Sequence, residues 1–323
     1  KILFFDPVLS VNNKRACASC HQPAKAFTDG LTKSTALDFK GTIRRNAPTL
    51  INAALQGSYF YDVRAEFPET QIDHVVFHAD EFNTTYEAII EKLKQSPEYI
   101  SLFKEAFPDQ PGNALNGFTI TKSIADYVRS LIAMDSEFDK YMRNEKTTLD
   151  ENIKDGYNLF MGKAQCGTCH FAPTFYGTVP PDFTESETEV LGVPSTKDTL
   201  HTTIDNDKGR YDIQNVPVYE FAFKTQTVRN IQLTAPYMHN GVYTTLEEIM
   251  DFYNRGGAAG LNIELEFQTL PPDKLNLSKI EIADIISFMQ SLTDTTGTTS
   301  IPAMLPSFPN NPELTKRKIG GEY

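Results

Sequence analysis

Cys17-Ala18-Ser19-Cys20-His21 and Cys166-Gly167-Thr168-Cys169-His170 are two copies of one five-residue word, and together they use all 4 cysteines of the chain. In Cys-x-x-Cys-His the two sulfurs can form thioethers with the two vinyl groups of one haem, while the adjacent imidazole ligates its iron. A redox dithiol or half of a zinc site would leave the histidine after each pair without a role. No further cysteine remains to complete a Cys-rich zinc cluster. Two covalent haem c groups are therefore expected, held by Cys17, Cys20 and His21 and by Cys166, Cys169 and His170.

The rest of the composition agrees with a globular protein. The chain has 323 residues, 40% of them hydrophobic, and no apolar run approaches the length of a membrane span. Its formal charge is −12 without any Lys/Arg block, which argues against nucleic acid as a partner. Such an acidic surface suits a basic redox partner, although solubility alone would give the same sign. The chain opens at Lys1-Ile2-Leu3-Phe4-Phe5 with no signal-peptide pattern and is expected to be a mature or trimmed form. Haem c is attached outside the cytoplasm, so a periplasmic or equivalent location is expected.

Helix signals dominate. Capping boxes at Thr84 with Glu87, Thr148 with Glu151, Thr245 with Glu248 and Ser278 with Glu281 each precede an apolar pattern of helical period. Ser96-Pro97 opens a further helix running toward Phe107, and Ile120, Ile124, Tyr127, Val128, Leu131 and Ile132 mark the buried stripe of a longer one. Between Phe171 and Val228 the chain is rich in Pro, Gly, Thr and Asp, and reads as loops around a cofactor with room for a short hairpin. The expected fold is mainly α, with two cytochrome c-like haem domains and long irregular loops. The polar stretch Arg143 to Thr147 divides it into residues 1–143 and 144–300, and the tail 301–323 is expected to pack as irregular chain or fray. Beyond the two haem words the histidines are His74, His78, His201 and His239, each read first as a surface or hydrogen-bonded residue.

Four further segments carry a resemblance. They are Leu3-Phe4-Phe5-Asp6-Pro7-Val8-Leu9-Ser10, Arg45-Asn46-Ala47-Pro48-Thr49-Leu50-Ile51-Asn52-Ala53, Phe60-Tyr61-Asp62-Val63-Arg64-Ala65 and the run from Val228-Arg229-Asn230 to His239-Asn240-Gly241. In their order around both haem words the chain resembles the bacterial dihaem cytochrome c peroxidase and MauG superfamily, from its first residues to about Leu292.

The resemblance implies that the N-terminal haem reacts with hydrogen peroxide and that the C-terminal haem relays electrons to it. It implies Glu81 as the acid-base carboxylate on the far side of the iron from His21, with Gln71 beside it. A carboxylate in a half-dry pocket can move a proton between the two peroxide oxygens. Tyr61 matches the position of an inter-haem Trp, and the chain contains no Trp. A tyrosine passes an electron only if its proton moves too. Asn46, Thr234 and Pro236 match the ligands of an inter-haem calcium ion, which neutral oxygen donors suit.

Two departures from the peroxidase pattern stand out. The loop Ser34 to Arg45 contains no His, so the active iron is expected to be open without reductive activation, as in MauG-like members. The position of the second haem's sixth ligand, a Met in peroxidases, matches Tyr253. That residue is favoured over Met250, one turn earlier, because a phenolate stabilises ferric iron where a thioether raises the potential. The expected function is a peroxidase taking electrons from a small redox protein, a cytochrome c or cupredoxin. The alternatives are MauG-like oxidation of Trp or Tyr on a partner protein, and a non-enzymatic dihaem electron-transfer cytochrome.

Overall fold

Hydrophobic side chains gather into two cores, one built by the N-terminal part of the chain and one by the C-terminal part. The computed structural model describes residues 1–110, 112–297 and 300–323. Its elements are mainly helical. They run α1 (Cys17–Cys20), α2 (Pro68–Phe77), α3 (Tyr86–Leu93), α4 (Pro97–Ala106), α5 (Gly117–Arg129), α6 (Glu137–Met142) and α7 (Glu151–Met161). There follow β1 (Thr188–Val190), α8 (Tyr211–Gln214), β2 (Ala222–Lys224), α9 (Leu246–Asn254), α10 (Lys279–Ser291) and α11 (Pro312–Thr315).

In the first core, Ile120, Ile124, Tyr127 and Val128 of α5 meet Phe4 and Phe5, with Phe4 edge-on to Tyr127 at 5.0 Å between ring centroids. Edge-to-face pairs of this kind add about 0.5–1.5 kcal/mol to the area they bury. The tail closes this same core. Phe308 and Leu314 are buried in it, and the Arg317 guanidinium donates to both carboxylate oxygens of Asp6 at 2.5 Å. Gly321, at φ +78°, pairs with Arg15 beside the first haem word, and a Cβ there would overlap the Ser19 side chain and the Lys14 carbonyl. The tail thus packs on the N-terminal core from Phe308 onward, while Ile301 and Met304 before it are exposed.

The second core centres on Phe138, Phe160, Phe175 and Phe288, whose rings meet at 5.0–5.9 Å. Helices α7 and α10 approach closely because Gly156 faces the Asp284 carbonyl, leaving no room for a Cβ. Arg229, 1% exposed, forks onto Asp139 at 2.8 and 2.7 Å and donates to the Pro173 carbonyl at 2.9 Å from Nε. A buried pair of this geometry is costly to break, by about 3–5 kcal/mol when one partner is removed.

Several sequence expectations shift in detail. Helix α3 is capped by Thr85, whose hydroxyl accepts from Ala88 N–H at 3.3 Å, not by Thr84. Helix α7 starts from Asp150, two residues after Thr148. Thr245 and Ser278 cap α9 and α10 with reciprocal bonds to Glu248 and Glu281, as the capping boxes predict. Ile132 is 43% exposed, because α5 ends at Arg129 and the helical stripe ends with it. Between Phe171 and Val228 the chain turns back on itself at the antiparallel bridge Thr178–Ser186, with Val179 N–H on the Glu185 carbonyl at 2.9 Å and Glu187 N–H on the Gly177 carbonyl at 2.7 Å. Strands β1 and β2 pair antiparallel, Glu189 opposite Phe223, across a long intervening loop.

Main-chain and ion-pair contacts stitch the two parts together. Lys224 N–H of β2 donates to the Tyr61 carbonyl at 2.7 Å, and Asn46 N–H to the His239 carbonyl at 2.7 Å. Arg45 spans Asp62 at 2.5 Å and Asp207 at 2.7 and 2.8 Å.

Candidate functional site: two Cys-x-x-Cys-His centres and a cleft

The first centre is a single helical turn, α1, that stops at its histidine. Ser19 Oγ accepts the Ala16 N–H at 3.0 Å, and His21, at φ −119° and ψ 74°, leaves the helix while its N–H still reaches the Cys17 carbonyl at 3.0 Å. His21 Nδ1 lies 2.9 Å from the Phe27 carbonyl. An N–H at Nδ1 makes that bond and leaves Nε2 as the lone-pair nitrogen for a metal. Burial pushes the His21 imidazole below its ordinary range, toward the neutral form a ligand needs.

The second centre repeats the device. His170 N–H reaches the Cys166 carbonyl at 2.9 Å, and its Nδ1 lies 3.2 Å from the Phe175 carbonyl. All four cysteines carry free thiols, and burial pushes those of Cys17, Cys20 and Cys166 up to about 12. Thiols held so firmly neutral are poor exchange nucleophiles, which need the thiolate. Free sulfurs in pairs, each beside an imidazole with a committed Nδ1, fit covalent haem.

Around the first centre lies a cleft of about 520 Å³, within the range of roughly 300–1,000 Å³ typical of ligand pockets. Its wall brings together Cys17, Cys20, His21, Tyr61, Gln71 and Glu81. The loop from Ser34 to Arg45 contributes Ser34, Thr35, Ile43, Arg44 and Arg45 to the wall and no imidazole. Glu81, its side chain 26% exposed, is pushed up to about 7, chiefly by burial; Arg64 opposes the rise and Asp80 adds to it. A carboxyl balanced near neutrality can both take and return a proton.

Helix α2 carries Gln71, the residue expected beside Glu81, and adds two histidines first read as surface or hydrogen-bonded residues. Gln71, His74 and Val75 of α2 line the cleft, as does His78, the extended residue that ends the helix. His78 Nδ1 lies 3.8 Å from Glu81, and the His74 ring stands edge-on to Phe60 at 5.6 Å. Polar residues on the inner face of a short helix were the available signal. Of the remaining histidines, His201 is exposed beside Asp198, while His239 is buried, stacked on Phe223 at 3.7 Å and 3.2 Å from Asp205.

Tyr253 lies on α9, partly buried against the second core. Burial, with the Cys166 and Cys169 thiols nearby, pushes its phenol above the ordinary range. Met250, 3% exposed, is instead part of the core. Tyr61 is buried, its phenol raised by burial and 3.5 Å from Asn46 Oδ1. Asn46 Nδ2 donates to the Leu31 carbonyl at 2.7 Å. Among the described residues, the carbonyls of Thr234 and Pro236 receive no protein hydrogen bond, which leaves them free for a cation.

Comparison with known proteins places this geometry. The family profile described as di-haem cytochrome c peroxidase matches residues 1–147. A cytochrome-c peroxidase, IdrP2, of Denitromonas iodatirespirans is 32% identical over 91% of this chain and 80% of its own length. The methylamine utilization protein MauG of Methylorubrum extorquens is 28% identical over 94% of this chain and 80% of its own. A crystal structure of a MauG-like protein associated with microbial copper homeostasis is 29% identical, with a TM-score of 0.81 over 92% of this chain and 90% of its own. With both haem words intact and likeness over nearly its whole length, the chain belongs to the dihaem cytochrome c peroxidase and MauG superfamily and is an oxidoreductase of the dihaem peroxidase type.

Proposed function

We propose that this protein reduces hydrogen peroxide in the cleft above His21, with electrons supplied by a small redox protein, a cytochrome c or cupredoxin, through the His170 centre. When bound, the two haems supply the redox chemistry, the C-terminal one passing electrons to the N-terminal one where peroxide is reduced. Two cytochrome c-like domains, residues 1–143 and 144–300, would carry them. The observation that supports this most directly is Glu81, a carboxyl held near neutrality in the same cleft wall as His21 and Gln71.

The chain's own part in the reaction is proton handling and positioning. The Glu81 carboxylate takes a proton from the inner peroxide oxygen and returns it to the outer one, so that the departing oxygen leaves as water rather than hydroxide. Gln71 offers an amide N–H to hold the peroxide. The Phe27 and Phe175 carbonyls fix the orientation of His21 and His170 and raise their basicity. Tyr253, rather than Met250, would be the residue that ligates the second haem, since its phenol lies toward Cys166 and Cys169 while Met250 fills the core. Asn46, Thr234 and Pro236 are assigned to a calcium ion, their neutral oxygens leaving room for waters. A periplasmic location follows from haem c attachment, and among the described residues no helix is long and apolar enough to cross a membrane.

Tyr253 also favours a second reading, MauG-like oxidation of Trp or Tyr on a partner protein. Steady-state assay of peroxide consumption with reduced cytochrome c or cupredoxin tests the first. Turnover with these donors supports it, and peroxide consumption only in the presence of an oxidisable protein moves the assignment to the second.

A further inference from the structure

Five cationic side chains line the cleft around His21: Arg15, Arg44, Arg45, Arg64 and Lys224. Three of them already have carboxylate partners. Arg44 pairs with Asp207 and Asp212, Arg45 with Asp62 and Asp207, and Arg64 with Asp62. Arg15 is taken up by main-chain carbonyls of Thr35, Ala36 and Glu322 at 2.5, 2.7 and 3.3 Å, and its guanidinium lies over Phe39.

Lys224 differs from all four. It is 6% exposed, and its Nζ donates to the Ser58 carbonyl at 2.8 Å and to Gln56 Oε1, both neutral acceptors. An ammonium has three N–H donors, so one is left over, and no carboxylate pairs with it among the described residues. A buried charge in that state is expensive. Burial pushes the ammonium down to about 7, against a smaller opposing pull from Asp62, which pairs instead with Arg45 and Arg64. Its position is nonetheless firmly built. The Lys224 N–H is held by the Tyr61 carbonyl at 2.7 Å, and β2 is paired to β1. The site therefore has a rigid cation, an open donor and a cavity beside it, and among the described residues no anion pairs with it directly.

A haem attached through Cys17 and Cys20 would bring two carboxylates, on its propionate arms, to this cleft. We propose that the Lys224 ammonium binds a propionate of the haem attached through Cys17 and Cys20, so that the C-terminal half of the chain supplies a cation fixing the N-terminal haem. The inference rests on haem attachment at that word and not on peroxide chemistry. It gives the seam between the halves a purpose beyond packing, since separating β2 from the Tyr61 segment would strip the N-terminal haem of its counter-charge.

The test is a spectroelectrochemical titration of the haem-loaded full chain and of Lys224→Met, each haem followed by its own absorption. Ferric haem carries one more positive charge than ferrous, so loss of a neighbouring cation favours the ferric form. The N-terminal midpoint should fall while the C-terminal one stays in place; an unchanged N-terminal midpoint overturns the proposal. A crystal structure of the unmutated holoprotein reads the same contact whether or not the variant folds. A propionate oxygen within hydrogen-bond distance of Nζ supports it, and an amine bonded only to Gln56 and Ser58 overturns it. Mass spectrometry of the intact chain separates the levels: absence of the haem adduct removes the premise itself, whereas a haem-loaded chain with a distant Lys224 removes only this inference.

Discussion

Replacing Glu81 by Gln keeps the shape of the side chain and removes its ability to carry a proton. The carboxyl stands at about 7 rather than its ordinary value of 4.5. At about 1.36 kcal/mol per pKa unit, the cleft prefers the protonated form by roughly 3 kcal/mol more than water does. Near pH 7 about half the molecules then hold the carboxylate that can accept a proton from peroxide, and the fraction falls tenfold with each further pH unit below that. General acid-base catalysis of this kind is worth about 10²–10⁴ in rate, or roughly 3–5 kcal/mol of barrier. Stopped-flow mixing with peroxide, read at the first Soret change, should show a rate that rises through pH 7 in the unmutated protein. In Glu81→Gln it should be slower by at least about two orders of magnitude and flat across that range. Haem content, measured as the pyridine haemochrome, should be unchanged. A variant that reacts at the unmutated rate, or one that keeps the rise near pH 7, refutes the assignment and transfers the proton-handling role to another group, with His78 at 3.8 Å the first to test.

Electron paramagnetic resonance of the oxidised protein should show one high-spin and one low-spin ferric signal, because the Ser34–Arg45 loop brings no imidazole to the cleft. Two low-spin signals would instead place His74 or His78 on the iron. Tyr253→Phe should change the spectrum of the C-terminal haem, and Met250→Ala should leave it unaltered while lowering stability by about 2–5 kcal/mol, as expected for a side chain only 3% exposed; the converse spectral result exchanges the two residues. Asp139→Ala should destabilise the fold by about 3–5 kcal/mol in chemical denaturation by leaving the Arg229 guanidinium buried without its partner, and a loss below about 1 kcal/mol, the level of an exposed pair, would show that the pair is not desolvated.

What the sequence made legible was local. The haem words, the Ser96, Thr245 and Ser278 caps and the α5 stripe depend on residues within a few positions of one another, where spacing translates directly into geometry. The misplacements are local competitions that spacing cannot decide. Thr84 and Thr85 are adjacent candidate caps, and the capping hydroxyl is Thr85's. Ile132 fits the helical stripe, but the helix has already ended. Long-range pairings left no signal. Nothing near Asp6 announces Arg317, and nothing near Thr188 announces Lys224. The Lys224 site lies wholly in this class, because the position reads as an ordinary surface-type lysine until β2 carries it under the Tyr61 segment.

The absence of Trp bears on which activity the seam can support. A Trp between two haems can give up an electron and keep its proton for a time, and so serve as a stopping point for charge. Tyr61 stands at that position with its phenol raised by burial, and its nearest acceptor is the amide oxygen of Asn46 at 3.5 Å. A neutral amide is too weak a base to take a phenolic proton, and a calcium ion on the same oxygen would repel it further. We infer that Tyr61 packs and insulates more than it stores charge. On the proposed relay, electrons would cross the seam directly, its two sides joined by Arg45, Asp62 and Asp207. Relayed reduction of peroxide needs no more than that, whereas long-lived sharing of oxidising charge between the haems needs a stopping point. The same seam therefore weighs toward the peroxidase reading, even though the proposed assignment of Tyr253 to the second haem leans toward protein oxidation.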